Sequence, residues 1–183
     1  MDHYYQNIHG WFDFQNVYSF IVAKIESPAV FVEVGTWKGM STAYLGVEIS
    51  NSKKNIRVYA VDTFEGSDEP AHKEDPSIIN NTLYDEFCKN IEPVNDIIIP
   101  IRKASVVASE DFDDSSLDFV FIDGGHTYED VYADICAWLP KIKSGGWIAG
   151  HDYGSSAGVR TAVHLLLPSV ASIPPNSWIQ QVK

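Results

Sequence analysis

Five short apolar runs constrain this chain more than any other feature: Ala29–Val34 (AVFVEV), Ile56–Val61 (IRVYAV), Ile97–Ile101 (IIIPI), Leu117–Ile122 (LDFVFI) and Trp147–Ala149 after a Gly-Gly pair. They are too short for buried helices and too continuously apolar for strands with one wet face, so they read as strands covered on both sides. Helical periods fill the intervals. Phe14, Val17, Tyr18, Ile21 and Ile25 share one stripe, Met40, Ala43, Tyr44 and Val47 a second, and Tyr128, Val131, Tyr132, Ile135, Trp138 and Leu139 a third. Thr127 is placed to cap the third helix with Asp130 three residues on, and a last helix runs from Ala157 to Leu167, stopped by Pro168. Strands alternating with helices specify right-handed crossovers and an α/β fold, a doubly wound and mostly parallel sheet of about six to seven strands with helices on both faces. The tail ASIPPNSWIQQVK adds one or two short strands at an edge.

With 183 residues and no repeat or linker, the chain reads as one domain: an N-terminal helical segment, 1–28, covering the site, and a core, 29–183. A formal net charge of -12 argues against nucleic acid or an anionic membrane as partner, because the long-range field repels both. The two cysteines, Cys88 and Cys136, lie in helical patterns without Cys-x-x-Cys spacing, so neither a disulfide framework nor a thiolate metal site is indicated; Cys136 and Trp138 read as core. The start, MDHYYQNIHGWFDF, has neither a basic opening nor an apolar leader, and no 18-residue apolar run occurs; a cytoplasmic location is the expectation.

In sheets of this kind ligands bind beyond the carboxyl ends of the strands. The first strand runs into EVGTWKGMST, where Gly35 can take the positive φ of a tight turn and Gly39 lets a ligand or neighbouring backbone approach the following helix. The second strand ends in Asp62, an acid suited to both hydroxyls of a ribose diol. Trp37 stands where a dinucleotide fingerprint needs its second glycine, leaving little room for a pyrophosphate. Glu33 points to a cationic ligand, which favours S-adenosylmethionine. The fourth strand ends in Asp123-Gly124-Gly125-His126, and the fifth leads to His151-Asp152. The one long irregular segment, Phe64 to Ser77, is rich in Pro and acid.

Together VEVGTWKGMST, VYAVDTFEGS, FIDGGHTYEDVYADI and GGWIAGHDY with GVRTAV resemble the class I S-adenosylmethionine-dependent methyltransferases, in particular the small-molecule O-methyltransferase branch with macrocin-type and cephalosporin-cluster-like members. The resemblance implies a Rossmann-like fold and methyl transfer to a hydroxyl of a sugar or secondary metabolite. It implies that Glu33, Gly35, Thr36, Gly39 and Ser41 form the first cofactor motif. Asp62 would hold the ribose hydroxyls with Thr63 beside it, Phe64 would pack on the adenine with Ser105 nearby, and Asp123 would lie beneath the methyl donor. The branch often adds N-terminal elements that dimerise, so a homodimer is open.

Methyl transfer needs alignment and a way to take the acceptor's proton. Asp123, His151 and Asp152 offer two carboxylates and an imidazole to a divalent metal such as Mg²⁺ or Mn²⁺; where metal-bearing relatives place two acids, this chain has His151 and Asp152. Some relatives carry an acidic base at the position of Gly125, which has no side chain. The catalytic candidates are therefore Asp123, His126 and His151. Trp11, Phe12 and Phe14 are either an acceptor wall or core, and His72 reads as solvated. The competing classes are an oxidoreductase using NAD, a hydrolase using a metal at Asp123, His151 and Asp152, and a cofactor-binding module without turnover.

Overall fold

The structure, a computed structural model, describes residues 1–67 and 69–183; position 68, inside the segment read as irregular, lies outside the described residues. In chain order the elements are α1 (Gln15–Lys24), β1 (Ala29–Val34), α2 (Met40–Ser52), β2 (Ile56–Asp62), α3 (Pro70–Lys73), α4 (Pro76–Ile79), α5 (Leu83–Asn90) and β3 (Ile98–Arg102). They continue with α6 (Ser105–Ser109), β4 (Leu117–Ile122), α7 (Tyr128–Trp138), β5 (Ile142–Gly150), α8 (Ala157–Leu166), β6 (Ala171–Ile173) and β7 (Ser177–Gln181). One seven-stranded sheet has the order β3-β2-β1-β4-β5-β7-β6. Strands β1 to β5 run parallel, and β7 lies antiparallel between β5 and β6.

Continuous apolar strands are wet on neither face. In β1 and β4, Phe31, Phe119 and Phe121 turn to one layer with Phe14, Tyr18, Val47 and Phe87. Val32, Val34, Val120 and Ile122 turn to the other, with Ile135, Trp138 and Trp178. Each fully buried Phe, Leu or Ile contributes roughly 1.5–3 kcal/mol. Strict alternation also puts the acid of β1, Glu33, on the Phe31 face, where it is only 1% exposed.

The strand order reverses between β1 and β4. The register Val34↔Ile122 and the bond from Asp123 N to Val34 O (2.8 Å) bring the two strand ends side by side there. This is the switch point at which such sheets open a crevice for ligands.

Three local expectations change. The Gly145-Gly146 pair lies inside β5: pairing jumps from Leu117↔Ile142 to Phe119↔Trp147, and Gly145 (φ +86) absorbs the bulge. The segment from Phe64 to Ser77 carries the one-turn helix α3 and the start of a second, α4, each begun by a proline whose fixed φ suits a first turn. Cys136 is exposed on α7, whereas Trp138 is fully buried as expected. Thr127 does cap α7, accepting from Asp130 N (3.1 Å) and donating to the Asp130 carboxylate (2.6 Å). Among the described residues no helix is long and apolar enough to cross a membrane.

Candidate functional site

The turn after β1 is built from positive-φ residues packed against the end of β4. Gly35 has φ +81, and a Cβ there would stand 2.1 Å from the Asp123 carbonyl oxygen. Gly39 (φ +86) opens α2; a Cβ there would press on Phe87 and Ile91 at 3.1 and 3.2 Å, so it is α5 that approaches this glycine. Trp37 takes φ +48 without being glycine. What holds it is Asp62: Oδ2 accepts from Thr36 N (2.8 Å) and Trp37 N (2.9 Å), and Oδ1 accepts from Phe64 N (2.8 Å). A carboxylate offers about four acceptor positions. Three face the protein's own backbone, leaving one for an incoming hydroxyl rather than the two expected.

Two polar atoms of this turn, Thr36 Oγ1 and Trp37 Nε1, are buried without a partner among the described residues. Thr36 is 2% exposed. An unpaired buried hydroxyl costs about 1–3 kcal/mol, so these atoms are suited to a ligand's polar group. Beneath the turn, Tyr18 OH (2.7 Å) and Ser41 Oγ (2.5 Å) donate to Glu33 Oε1, and Thr42 Oγ1 (2.5 Å) donates to Oε2. Burial pushes the Glu33 carboxyl up to about 7, although the three hydroxyls pull it down.

Beyond the strand ends lies a chain of acids and imidazoles. His151 Nε2 is 2.8 Å from Asp13 Oδ1, while its Nδ1 is 3.4 Å from Asp123 Oδ1 and 3.3 Å from Asp152 Oδ2. His126 Nε2 lies 3.1 Å from Asp152 Oδ2, and its Nδ1 lies 2.9 Å from Glu69 Oε1. Burial opposes the charged form of His151, but Asp123 and Asp152 overwhelm it and push its pKa up to about 11. The carboxylates around it favour the protonated ring; the other imidazole candidate, His126, lies between Asp152 and Glu69. Burial raises the Asp123 carboxyl, His151 opposing. For Asp152 burial is outweighed by His151 and Ser155, and its carboxyl falls well below the usual range.

The side chains whose ligand atoms converge within 4.8 Å are Asp123, His126 and Asp152. The two acids read as metal ligands thus come together, with His126 rather than the expected His151 as the third member; three carboxylates surround His151 and two surround His126. Gly125 lacks an acid, and a Cβ there would stand 2.5 Å from Asp130 Oδ2: the α7 capping carboxylate fills that space.

Other expected residues are engaged elsewhere. The Phe64 ring is 2% exposed and packs on Tyr84 and Phe87 (centroids 5.0 Å each), inside the core rather than free for an adenine. Ser105 begins α6 but accepts from Trp138 Nε1 (2.9 Å). Thr63 Oγ1 accepts from Glu65 N (3.3 Å) in the turn after β2. Phe14 is core, stacked on Phe121 (4.4 Å), and Phe12 is half-buried, whereas Trp11 is 57% exposed. His72 is not simply solvated: it stacks on Trp37 (4.1 Å, 15°), with Trp11 5.8 Å away.

The segment after β2 is fastened over the turn. Lys38 Nζ, nearly buried, lies 2.9 Å from Asp75 Oδ2 and 3.3 Å from Glu86 Oε1. Asp13, Tyr18, Lys38, Glu69 and Asp75 were not legible as site residues, because the partners that give them meaning lie far off in sequence.

A family described as a methyltransferase domain matches residues 32–153, and the chain belongs to it. The match runs from within β1 to the turn beyond His151, and so contains the glycine turn and the acid–imidazole cluster apart from Asp13. An uncharacterised protein of Sinorhizobium fredii, y4gI, is 30% identical over 125 residues; these are 68% of this chain and 13% of that protein. The chain thus spans a small part of the length of that curated relative. Among solved structures, the O-methyltransferase NovP is similar at TM-score 0.70 and 16% identity, covering 92% of this chain and 79% of that one. CalS11, a TDP-rhamnose 3'-O-methyltransferase, matches at 0.60 and 16%, covering 91% and 76%. A SAM-dependent O-methyltransferase of Thermotoga maritima matches at 0.64 and 12%, covering 95% and 67%. At these identities the likeness is one of fold.

Proposed function

We propose that this chain transfers a methyl group from S-adenosylmethionine to a hydroxyl of a small molecule. The observation that carries the reading is the contact between Gly35 and the Asp123 backbone, which sets a turn with unpartnered buried polar atoms directly against the acid–imidazole cluster. S-adenosylmethionine supplies a methyl carbon already activated by its sulfonium. The Gly35–Gly39 turn receives the cofactor's amino-acid end, with Thr36 and Trp37 offering their free polar atoms. Asp62 takes one ribose hydroxyl at its remaining acceptor position.

His126, tethered between Glu69 and Asp152, is the side chain placed to take the acceptor's proton, and alignment supplies most of the remaining rate. His151, positively charged, keeps Asp123 and Asp152 from repelling one another. The acceptor enters beside Trp11, where Asp13, Glu69 and Asp152 favour a neutral hydroxylated molecule such as a sugar over an anionic one. The name of CalS11 states a sugar acceptor for that protein, there carried on an anionic nucleoside diphosphate, so it bears on the sugar and not on the charge.

The convergence of Asp123, His126 and Asp152 favours a second route. These three residues would hold a divalent metal, and their oxygen and nitrogen donors suit Mn²⁺, Fe²⁺ or Zn²⁺. A hydroxyl bound to such an ion loses its proton more readily. Incubation with radiolabelled S-adenosylmethionine and a panel of free sugars and phenols, with and without chelator, tests both routes. Label transfer supports the reaction, and its loss on chelation with recovery on Mn²⁺ selects the metal route. No transfer to any hydroxyl, with the cofactor bound, refutes the acceptor assignment.

A further inference from the structure

Asp152 takes φ +58, a left-handed backbone in a residue other than glycine, so its neighbours must hold it there. One of them reaches in from the edge of the sheet. Asn176, in the turn between β6 and β7, clasps the turn after β5: its Oδ1 accepts from Gly154 N (2.7 Å) and Ser155 N (3.0 Å), and its backbone oxygen accepts from Tyr153 N (3.0 Å). A Cβ on Gly154 would stand 2.9 Å from that Oδ1, so the glycine lets the amide come close. Two N–H donors on one atom also fix which way the amide points, because only its oxygen can accept both. The NH₂ therefore faces Asp152 Oδ1 at 3.1 Å and Ser155 Oγ at 3.0 Å, and Ser155 Oγ itself donates to Asp152 Oδ1 (2.5 Å).

Two donors on Oδ1 hold the Asp152 carboxylate in one rotation. Its other oxygen is the one left for the imidazoles: Oδ2 lies 3.1 Å from His126 Nε2 and 3.3 Å from His151 Nδ1. We propose that Asn176 is a positioning residue for methyl transfer, its NH₂ fixing the Asp152 carboxylate so that Oδ2 stands between the two imidazoles. The proposal rests on reading the acid–imidazole cluster as the place where the acceptor loses its proton, and it holds for either route, since both need Asp152 at a set distance from His126. It gives the β6–β7 edge, outside residues 32–153, a part in the chemistry.

A residue that merely braces the turn would act through Oδ1; one that positions the acid acts through the NH₂. Asn176→Asp separates the two. It keeps an oxygen for Gly154 N and Ser155 N but sets a carboxylate oxygen against Asp152 Oδ1, acceptor against acceptor. Asn176→Ala removes both halves.

The test combines label-transfer kinetics, calorimetric titration with the product S-adenosylhomocysteine, and ¹H–¹⁵N spectra of the histidine rings in the whole chain. Both variants should lower kcat about 10-fold or more, since a misplacement of about 1 Å can cost about 100-fold. Acceptor KM and affinity for S-adenosylhomocysteine should stay within about 2-fold of wild type, because the amide touches neither ligand. The ring signals of His126 and His151 should move, while those of His3, paired with Glu48 on α2, should not. A wild-type kcat, or unmoved His126 and His151 signals, in Asn176→Asp overturns the proposal, even where Asn176→Ala is impaired; that pattern makes Asn176 a brace for the turn alone. If neither variant folds, the wild-type spectrum decides: exchange-protected, shifted Asn176 NH₂ protons support the bond to the carboxylate, and free-amide signals overturn it. If the wild-type chain binds the cofactor but methylates no hydroxyl, the reading of the cluster fails, and the ring signals still decide whether Asn176 sets Asp152.

Discussion

Asp62→Asn tests how the cofactor turn is held. The carboxylate accepts three backbone N–H groups, from Thr36, Trp37 and Phe64, all partly buried. The amide can keep its single oxygen where two of them converge. Both bonds then pass from charged (about 1.5–3 kcal/mol) to neutral (about 0.5–1.5 kcal/mol), a loss of about 1 kcal/mol each. Its NH₂ meets the Phe64 N–H, donor against donor, and orphaning that group costs about 1–3 kcal/mol more. The sum is roughly 3–5 kcal/mol, a large part of the stability of a typical domain at about 5–15 kcal/mol. Loosening the turn also lets Trp37 relax from a φ that costs about 1–2 kcal/mol in a residue other than glycine. Urea denaturation should show the loss, and calorimetry should show S-adenosylhomocysteine binding at least about 10-fold more weakly, a change of about 1.4 kcal/mol. Stability within about 1 kcal/mol of wild type together with unchanged affinity would refute the bracing role.

Gly35→Ala combines a left-handed backbone with a Cβ 2.1 Å from the Asp123 carbonyl oxygen, so the ends of β1 and β4 must separate; a loss of roughly 3–5 kcal/mol is expected in urea melts, and a loss under about 1 kcal/mol contradicts the packing. Asp75→Asn keeps the cap on α4 but leaves Lys38 with Glu86 alone, and should cost roughly 3 kcal/mol while speeding proteolysis of the segment after β2. Asp134, 5% exposed, has its carboxyl raised by burial to about 6, Ser105 opposing. Folded above the unfolded value of 3.8, it lowers stability as pH rises from about 4 through 6. Asp134→Asn should therefore be more stable than wild type by roughly 3 kcal/mol at about pH 8, and near neutral at about pH 4. An equal effect at both pH values would contradict the assignment.

The sheet was legible because β1 and β4 are buried on both faces, and continuous apolar runs of that length have few other readings. The glycine turn and Asp62 were legible because a strand-to-helix turn demands positive φ and an acid at the next strand end is conspicuous. What failed depends on contacts that local pattern does not encode. Phe64 follows a strand end and looked free to meet a ligand, yet its own φ of +57 turns the ring into α5. His151 and His126 look interchangeable on the page of letters; Asp13, more than a hundred residues away, is what adds a third carboxylate around His151. Gly125 looked like a missing acid until Asp130, one turn into α7, was seen to fill the space.

The central claim is that the crevice between β1 and β4 binds S-adenosylmethionine, and calorimetric titration of the wild-type chain with it near neutral pH tests that claim most directly. One site per chain in the range of about 1–100 μM is the predicted result, with binding abolished in Gly35→Ala protein that still folds. No heat and no shift in thermal stability at millimolar ligand, about ten times the upper end of that range, would contradict it.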